Sequence, residues 1–266
     1  MLLASQQSSL MVPSFDALKQ RVSRFVTPPE KYKEFGAKSF IKDVEELGEA
    51  AIFGGLLRDL SLDSSRTFTS DIDLVVETDD DRGLASKMEK YGAIKNSFGG
   101  FRLQFHKWKI DIWPLRKTWA IKEGLVKEES FEGLLKTTFF DWDAVVFNLT
   151  KSKILSIDNY LEKLTERVVD INLKENPNNI GIIVRALRLL EKRNAKFTWD
   201  LSEHVFNGIE SYGLSRILED ELDSYNYNIL SESFIASVHM DLRKYLENFD
   251  EIPFSHQYKS QLCLFD

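Results

Sequence analysis

Strand-forming runs crowd into the first 155 residues of this chain and then cease. Up to that point short apolar or alternating stretches recur: Ala50-Ala51-Ile52-Phe53, Ile72 to Val76, Phe101-Arg102-Leu103-Gln104-Phe105 and Trp108 to Trp113. Beyond it the pattern is helical, with breaks expected at Pro177, Gly208, Gly213 and Pro253. Period-two and buried-strand signals followed by a long helical remainder predict an α+β fold, a mixed β-sheet first and helices after it. The boundaries read as an N-terminal helical segment over residues 1–35, a mixed α and β region over 36–155 and an all-helical region over 156–266.

Local signals fill in the front half. Phe15, Leu18, Val22 and Phe25 recur at helical spacing until Pro28-Pro29 stops the helix. Lys38 to Leu47 predicts a second helix, with Ser39 as a cap and Gly48 as terminator. Leu56 to Leu62 predicts a helix leaving the Gly54-Gly55 turn, and Ser64 to Ser70 a polar loop. Thr78-Asp79-Asp80-Asp81 places carboxylates where a helix dipole favours them, ahead of a helix running to Tyr91. The runs around His106-Lys107 predict an antiparallel hairpin.

Composition narrows the class of function. The 266 residues, 43% of them hydrophobic, suffice for one large domain or two modest ones with an ordinary core. The single Cys263 has no partner within the chain for a disulfide. His106, His204, His239 and His256 are too scattered for a zinc spacing. No apolar run approaches the roughly 20 residues that span a bilayer, and the start Met1-Leu2-Leu3-Ala4 lacks the basic and apolar pattern of a leader. A soluble, cytoplasmic protein is expected. The net charge of −7 argues against a protein that coats nucleic acid by nonspecific electrostatics, while leaving room for a local basic site.

Two constellations carry chemistry. In Asp71-Ile72-Asp73 the acidic residues stand two apart at the mouth of a strand, so both side chains face one way while Ile72 faces the core. Asp111, in Lys109-Ile110-Asp111-Ile112-Trp113, adds a third carboxylate if its strand lies beside the first. Three carboxylates without histidine suit a hard cation, with Mg2+ expected, two ions anticipated and Mn2+ able to substitute. Phe53-Gly54-Gly55-Leu56-Leu57-Arg58-Asp59 reads as a strand, a glycine turn and a helix start, whose backbone N–H groups and dipole suit a phosphate. Arg58 is positioned to reach phosphate or ribose, and Asp59 to pin the loop or orient Arg58.

Taken together, Gly54-Gly55-Leu56-Leu57-Arg58-Asp59, Asp71-Ile72-Asp73, Phe98-Gly99-Gly100 and Asp111 resemble the head domain of the class II tRNA nucleotidyltransferase and bacterial poly(A) polymerase family, over roughly residues 45 to 150. The resemblance implies a polymerase-β-like nucleotidyltransferase head followed by a helical neck that completes the nucleotide pocket. It implies metal-binding and catalytic roles for Asp71, Asp73 and Asp111, and nucleotide binding by Gly54, Gly55, Arg58 and Asp59. Arg185-Ala186-Leu187-Arg188 looks like the family's Arg-Ala-x-Arg helix, whose arginines approach the triphosphate. On that helix Arg185, Arg188, Lys192 and Lys196 form a basic stripe, opposite Ile183, Leu187 and Leu190.

The chain also departs from the family pattern. Where CCA-adding enzymes carry Arg-Arg-Asp ahead of Asn-Ala, it reads Thr137-Thr138-Phe139-Phe140-Asp141-Trp142-Asp143-Ala144. The base-reading Glu-Asp-x-x-Arg falls on Asn178-Asn179-Ile180-Gly181-Ile182, and amides do not reproduce that charged geometry. The expected activity is therefore metal-dependent transfer of a nucleotide from a nucleoside triphosphate to an acceptor hydroxyl. An RNA 3′ end, tRNA included, is the favoured acceptor, and a protein or small molecule the alternative. Trp113, Trp119, Phe139, Phe140 and Trp142 are candidates to stack on a base, against the ordinary reading as core. The rival class is a catalytically inactive nucleotide- or partner-binding regulatory module, antitoxin-like.

Overall fold

The computed structural model describes residues 11–27, 38–63, 71–96, 99–106, 108–248 and 252–256. The expected stop at Pro28-Pro29, the loop at Ser64 to Ser70, Phe98, Lys107 and Cys263 lie outside them. The chain divides into two compact units, residues 1–165 and 166–266. Among the described residues no helix is long and apolar enough to cross a membrane.

The first unit opens with α1 (Phe15–Val26), capped by the Ser14 hydroxyl, which accepts from the Ala17 N–H at 3.3 Å, and buried through Leu18, Val22, Phe25 and Val26. α2 (Lys38–Glu45) buries Phe40, Ile41 and Val44; it ends before the expected Leu47, and Ser39 lies inside it. There follow β1 (Glu49–Phe53), α3 (Gly55–Leu62), β2 (Ile72–Glu77) and α4 (Asp81–Lys90). The Asp80 carboxylate caps α4 by accepting from the Gly83 N–H at 2.7 Å. β3 (Ile94–Lys95), β4 (Phe101–Phe105), β5 (Trp108–Pro114), the short helices α5 (Trp119–Lys122) and α6 (Phe131–Leu134), β6 (Val145–Asn148), β7 (Lys153–Ser156) and α7 (Tyr160–Glu166) complete the order.

Seven strands form one mixed sheet in the order β3-β4-β5-β2-β1-β6-β7, antiparallel throughout except for the β2–β5 pair. Alternation along the strands sorts the two faces. Ile52 lies opposite Leu74, Leu74 opposite Ile112, and Ile72 opposite Ile110, all fully buried or nearly so. This apolar layer is the core of the unit. Burying an aliphatic side chain of this kind contributes about 1.5–3 kcal/mol, which is what holds the strands in this pairing. Asp73, Asp111 and Arg102, on the intervening positions, face the other way.

The second unit holds β8 (Val168–Val169), α8 (Asn179–Arg193), β9 (Lys196–Phe197), α9 (Trp199–Tyr212), α10 (Leu214–Tyr225), α11 (Glu232–Asn248) and β10 (Phe254–Ser255). It is helical as expected, with the addition of a three-stranded sheet of two-residue strands, β10-β9-β8. Such pieces are too short to leave a periodic trace in sequence. α9 runs through Gly208 without the expected break: a Cβ there would fall 2.3 Å from Ile183 Cδ1, so the glycine admits α8 at close range.

The expected basic stripe on α8 is corrected by its packing. Ile182, Ile183, Val184, Ala186, Leu187, Leu189 and Leu190 are buried on almost every side of the helix, and Lys196 belongs to β9. Arg188 is buried too. Its guanidinium pairs with Glu221, which is fully buried, and lies 3.7 Å from the centroid of the Tyr225 ring. Glu221 also accepts from the Ile229 and Leu230 N–H groups, each at 3.2 Å. Glu221→Gln removes the charge opposite Arg188 and turns one of the two oxygens that accept from the Ile229 and Leu230 N–H groups into a donor. It is expected to lower stability by about 2 kcal/mol, read from urea unfolding of the full chain.

Candidate functional site

The acidic residues are placed by strand register. Asp73 lies opposite Phe53 of β1 on one side and opposite Asp111 of β5 on the other. Asp111 in turn lies opposite Arg102 of β4. Directly opposed residues project to the same face, so Phe53, Asp73, Asp111 and Arg102 make one row across four strands. Asp71, immediately before β2 and two residues from Asp73, continues toward the same face, as does Lys109 before Asp111.

The glycine turn begins where this row ends. Gly54 follows Phe53 directly, at φ 73° and ψ −135°, and caps α3; its N–H donates to the Val145 carbonyl at 3.1 Å. An α-helix leaves the first N–H groups of its opening turn without intrahelical partners, so the start of α3 presents donors beside the acidic row. Among the described residues no heavy atom lies within 4 Å of a Cβ built on Gly54, so the cost of a side chain there is backbone strain. Gly54→Ala is expected to lose about 1–3 kcal/mol of stability, measured by chemical denaturation.

Arg58 is engaged below the turn. Its Nε donates to Asp59 Oδ1 at 3.1 Å and its Nη1 to Asp143 Oδ1 at 2.6 Å, and both carboxylates are buried. Arg58 itself is a brace: it ties the first turn of α3 to the 3-10 turn Asp141–Asp143 that leads into β6. Burial opposes its charge, and the two carboxylates more than reverse that, leaving the guanidinium more firmly protonated than usual.

Arg102 is the residue sequence reasoning passed over. Its Nε donates to Asp111 Oδ1 at 2.8 Å and its Nη2 to Oδ2 at 2.6 Å, a two-pronged pair on one carboxylate. The signal was available: in a hairpin centred on His106-Lys107, Arg102 and Asp111 are equidistant from the tip. The field of the row is mutual. Burial raises the Asp71 carboxyl, with Asp111 adding to the rise and Lys109 and Arg102 opposing it. Arg102 is held protonated first by its hydrogen bonds to Asp111 and further by Asp71 and Asp73.

The row supplies the all-oxygen donors a hard divalent cation takes. Yet among the described residues no group of three or more His, Cys, Asp or Glu side chains is disposed around a common ion position. Both oxygens of the Asp111 carboxylate are taken up by Arg102. By donor chemistry alone, the carboxylates of Asp71, Asp73 and Asp111 are the oxygen ligands a hard divalent cation would take.

Arg185 and Arg188 belong to the second unit, Arg185 on the surface of α8 and Arg188 buried against Glu221. Phe139, Phe140 and Trp142 are core residues at 4%, 1% and 1% exposure, so none is presented to a base. Trp113 packs against Phe53 with ring centroids 6.4 Å apart, and a Cβ on Gly100 would overlap its indole at 2.1 Å.

No family model matches this sequence, and no curated protein matches it. Solved structures do. A tRNA-processing enzyme in an apo form matches 83% of this chain with a TM-score of 0.55 at 19% identity. The CCA-adding enzyme of Thermotoga maritima, complexed with tRNA, matches 87% with a TM-score of 0.55 at 16% identity. A CCA-adding enzyme complexed with CTP matches 88% with a TM-score of 0.52 at 16% identity. The chain spans 59%, 53% and 53% of these proteins' lengths respectively. The likeness is one of fold: a mixed sheet with a helical region after it.

Proposed function

We propose that this chain, with the fold of tRNA nucleotidyltransferases and an acidic row beside a glycine turn, transfers a nucleoside monophosphate from a triphosphate to an acceptor hydroxyl. The acceptor oxygen bonds to the α-phosphorus as the bond to the β-phosphate oxygen breaks; pyrophosphate leaves and the acceptor proton passes to solvent. The observation that carries the reading is the register Phe53–Asp73–Asp111, which sets two carboxylates side by side next to the Gly54-Gly55 turn.

Each part has a physical role. Asp71 and Asp73 would hold a divalent ion such as Mg2+, whose charge would offset that on the phosphates and ease loss of the acceptor proton. The N–H groups at the start of α3 hold phosphate oxygens through hydrogen bonds and the helix dipole. Arg58 keeps that turn rigid through Asp59 and Asp143, so the donors are fixed before the triphosphate arrives. An RNA 3′ end is the acceptor we favour, supported by the tRNA complexes among the fold's solved relatives. The base-reading charges expected of CCA addition are replaced by Asn178 and Asn179, and Asn178 is occupied in capping α8.

The test is to incubate the protein with labelled triphosphates, Mg2+ and total RNA, and to separate RNA, protein and small-molecule fractions. Label in RNA supports the reading. Label in protein or small molecules keeps the chemistry and changes the acceptor. A second reading, nucleotide or partner binding without turnover, is favoured by one observation, the cation that Arg102 already gives Asp111. Magnesium-dependent triphosphate binding without product in any fraction would establish it instead.

A further inference from the structure

We propose that Arg102 is a displaceable counter-ion of the acidic row, holding Asp111 through both oxygens until a divalent cation held by Asp71 and Asp73 takes that carboxylate over. The inference rests on the reading of Asp71 and Asp73 as cation ligands.

The geometry has two halves of opposite character. The Asp111 side chain is 6% exposed and the Arg102 side chain 61% exposed. A carboxylate at that depth requires a cation at all times, because an unpaired buried charge is strongly destabilising. The arginine, with most of its length in water, loses little by leaving once another cation has arrived, since its guanidinium is rehydrated where it already stands. The pair is therefore asymmetric: the anion is fixed by β5 and the cation is on an arm.

Charge supplies the drive. Among the described residues Asp71, Asp73 and Asp111 face Arg102 and Lys109, and a divalent ion arriving there meets more carboxylates than cations. A guanidinium left in contact with Asp111 would then repel the ion at short range, in a partly buried place where screening is weak. Displacement removes the repulsion and gives the ion a third oxygen donor. The cation affinity of the resting protein is lowered by whatever the Arg102 hydrogen bonds contribute, and the site is protected from collapse when empty of ions.

The test is calorimetric titration of the full chain with Mn2+, with thermal unfolding in the presence and absence of Mn2+ as a second readout. Arg102→Gln is expected to bind Mn2+ about tenfold more tightly than the unaltered protein, the worth of a charged two-pronged hydrogen bond. It is also expected to show a larger rise in Tm on adding Mn2+. Arg102→Lys, which keeps the charge without the planar fork, should fall between the two, and it serves alone if the glutamine variant does not fold. Equal or weaker binding in the variants, abolished by Asp71→Ala, overturns the counter-ion and leaves the cation site standing. Absence of Mn2+ binding in every variant overturns both.

Discussion

Alanine at Asp71 or at Asp73 is expected to lower nucleotidyl transfer by about three orders of magnitude, with the circular dichroism spectrum unchanged. The figure follows from losing about 4 kcal/mol of charge stabilisation in the transition state when a ligand of the divalent ion is removed. The fold should survive because neither side chain belongs to the apolar layer of Ile52, Ile72, Leu74, Ile110 and Ile112. Asp71 offers a sharper form of the test. Burial, with Asp111 adding to it, raises its carboxyl above its ordinary value. A raised folded pKa means that the contribution to stability is present below the ordinary carboxylate range and is lost as pH rises through the raised value. At neutral pH the ionised Asp71 therefore works against folding. Asp71→Asn should accordingly raise Tm at pH 7 while abolishing transfer, and the difference in Tm from the unaltered protein should vanish in acid. A variant that lost activity and stability together would point to a structural role and sink the assignment.

The second large effect is expected at Arg58. Arg58→Ala leaves Asp59 and Asp143 buried without their shared cation, and breaking a buried pair of this kind costs about 3–5 kcal/mol. Urea unfolding should show the loss directly. Arg58→Lys retains the charge but can satisfy only part of the two-carboxylate geometry, so it should recover a fraction of the stability. If Arg58 acted only on phosphate, the alanine variant would keep the full stability of the protein and lose triphosphate affinity alone. That outcome would remove the brace.

These two sites also mark how far sequence reasoning reached. The α+β character, the Gly54 turn, the capped start of α4 and the β4–β5 hairpin are local matters of spacing and turn chemistry, and each was legible. The convergence of Asp73 and Asp111 was conditional on strand adjacency, which the parallel β2–β5 pair supplies. Arg102 and Asp143 were passed over for different reasons. Arg102 stands on a strand that alternates cleanly, so its charge reads as the solvent face until the hairpin register is counted. Asp143 meets Arg58 across 85 residues, a contact that no local pattern announces. The exposed-looking arginine of α8 failed in the opposite direction: Arg188 obeys helical spacing, but a buried glutamate on α10 draws it inside. Charges are the residues whose placement depends most on a partner elsewhere in the chain, and they were the least readable.

The alternation in β2 has a consequence for the robustness of the chemistry. Sliding this strand by a single residue against either neighbour would turn Asp73 into the apolar layer and move Ile72 and Leu74 to the face of the acidic row. Misalignment that would spoil the acidic row is thus penalised by the whole hydrophobic interior. The carboxylates inherit their accuracy from the greasy side chains between them, and need no dedicated scaffold of their own.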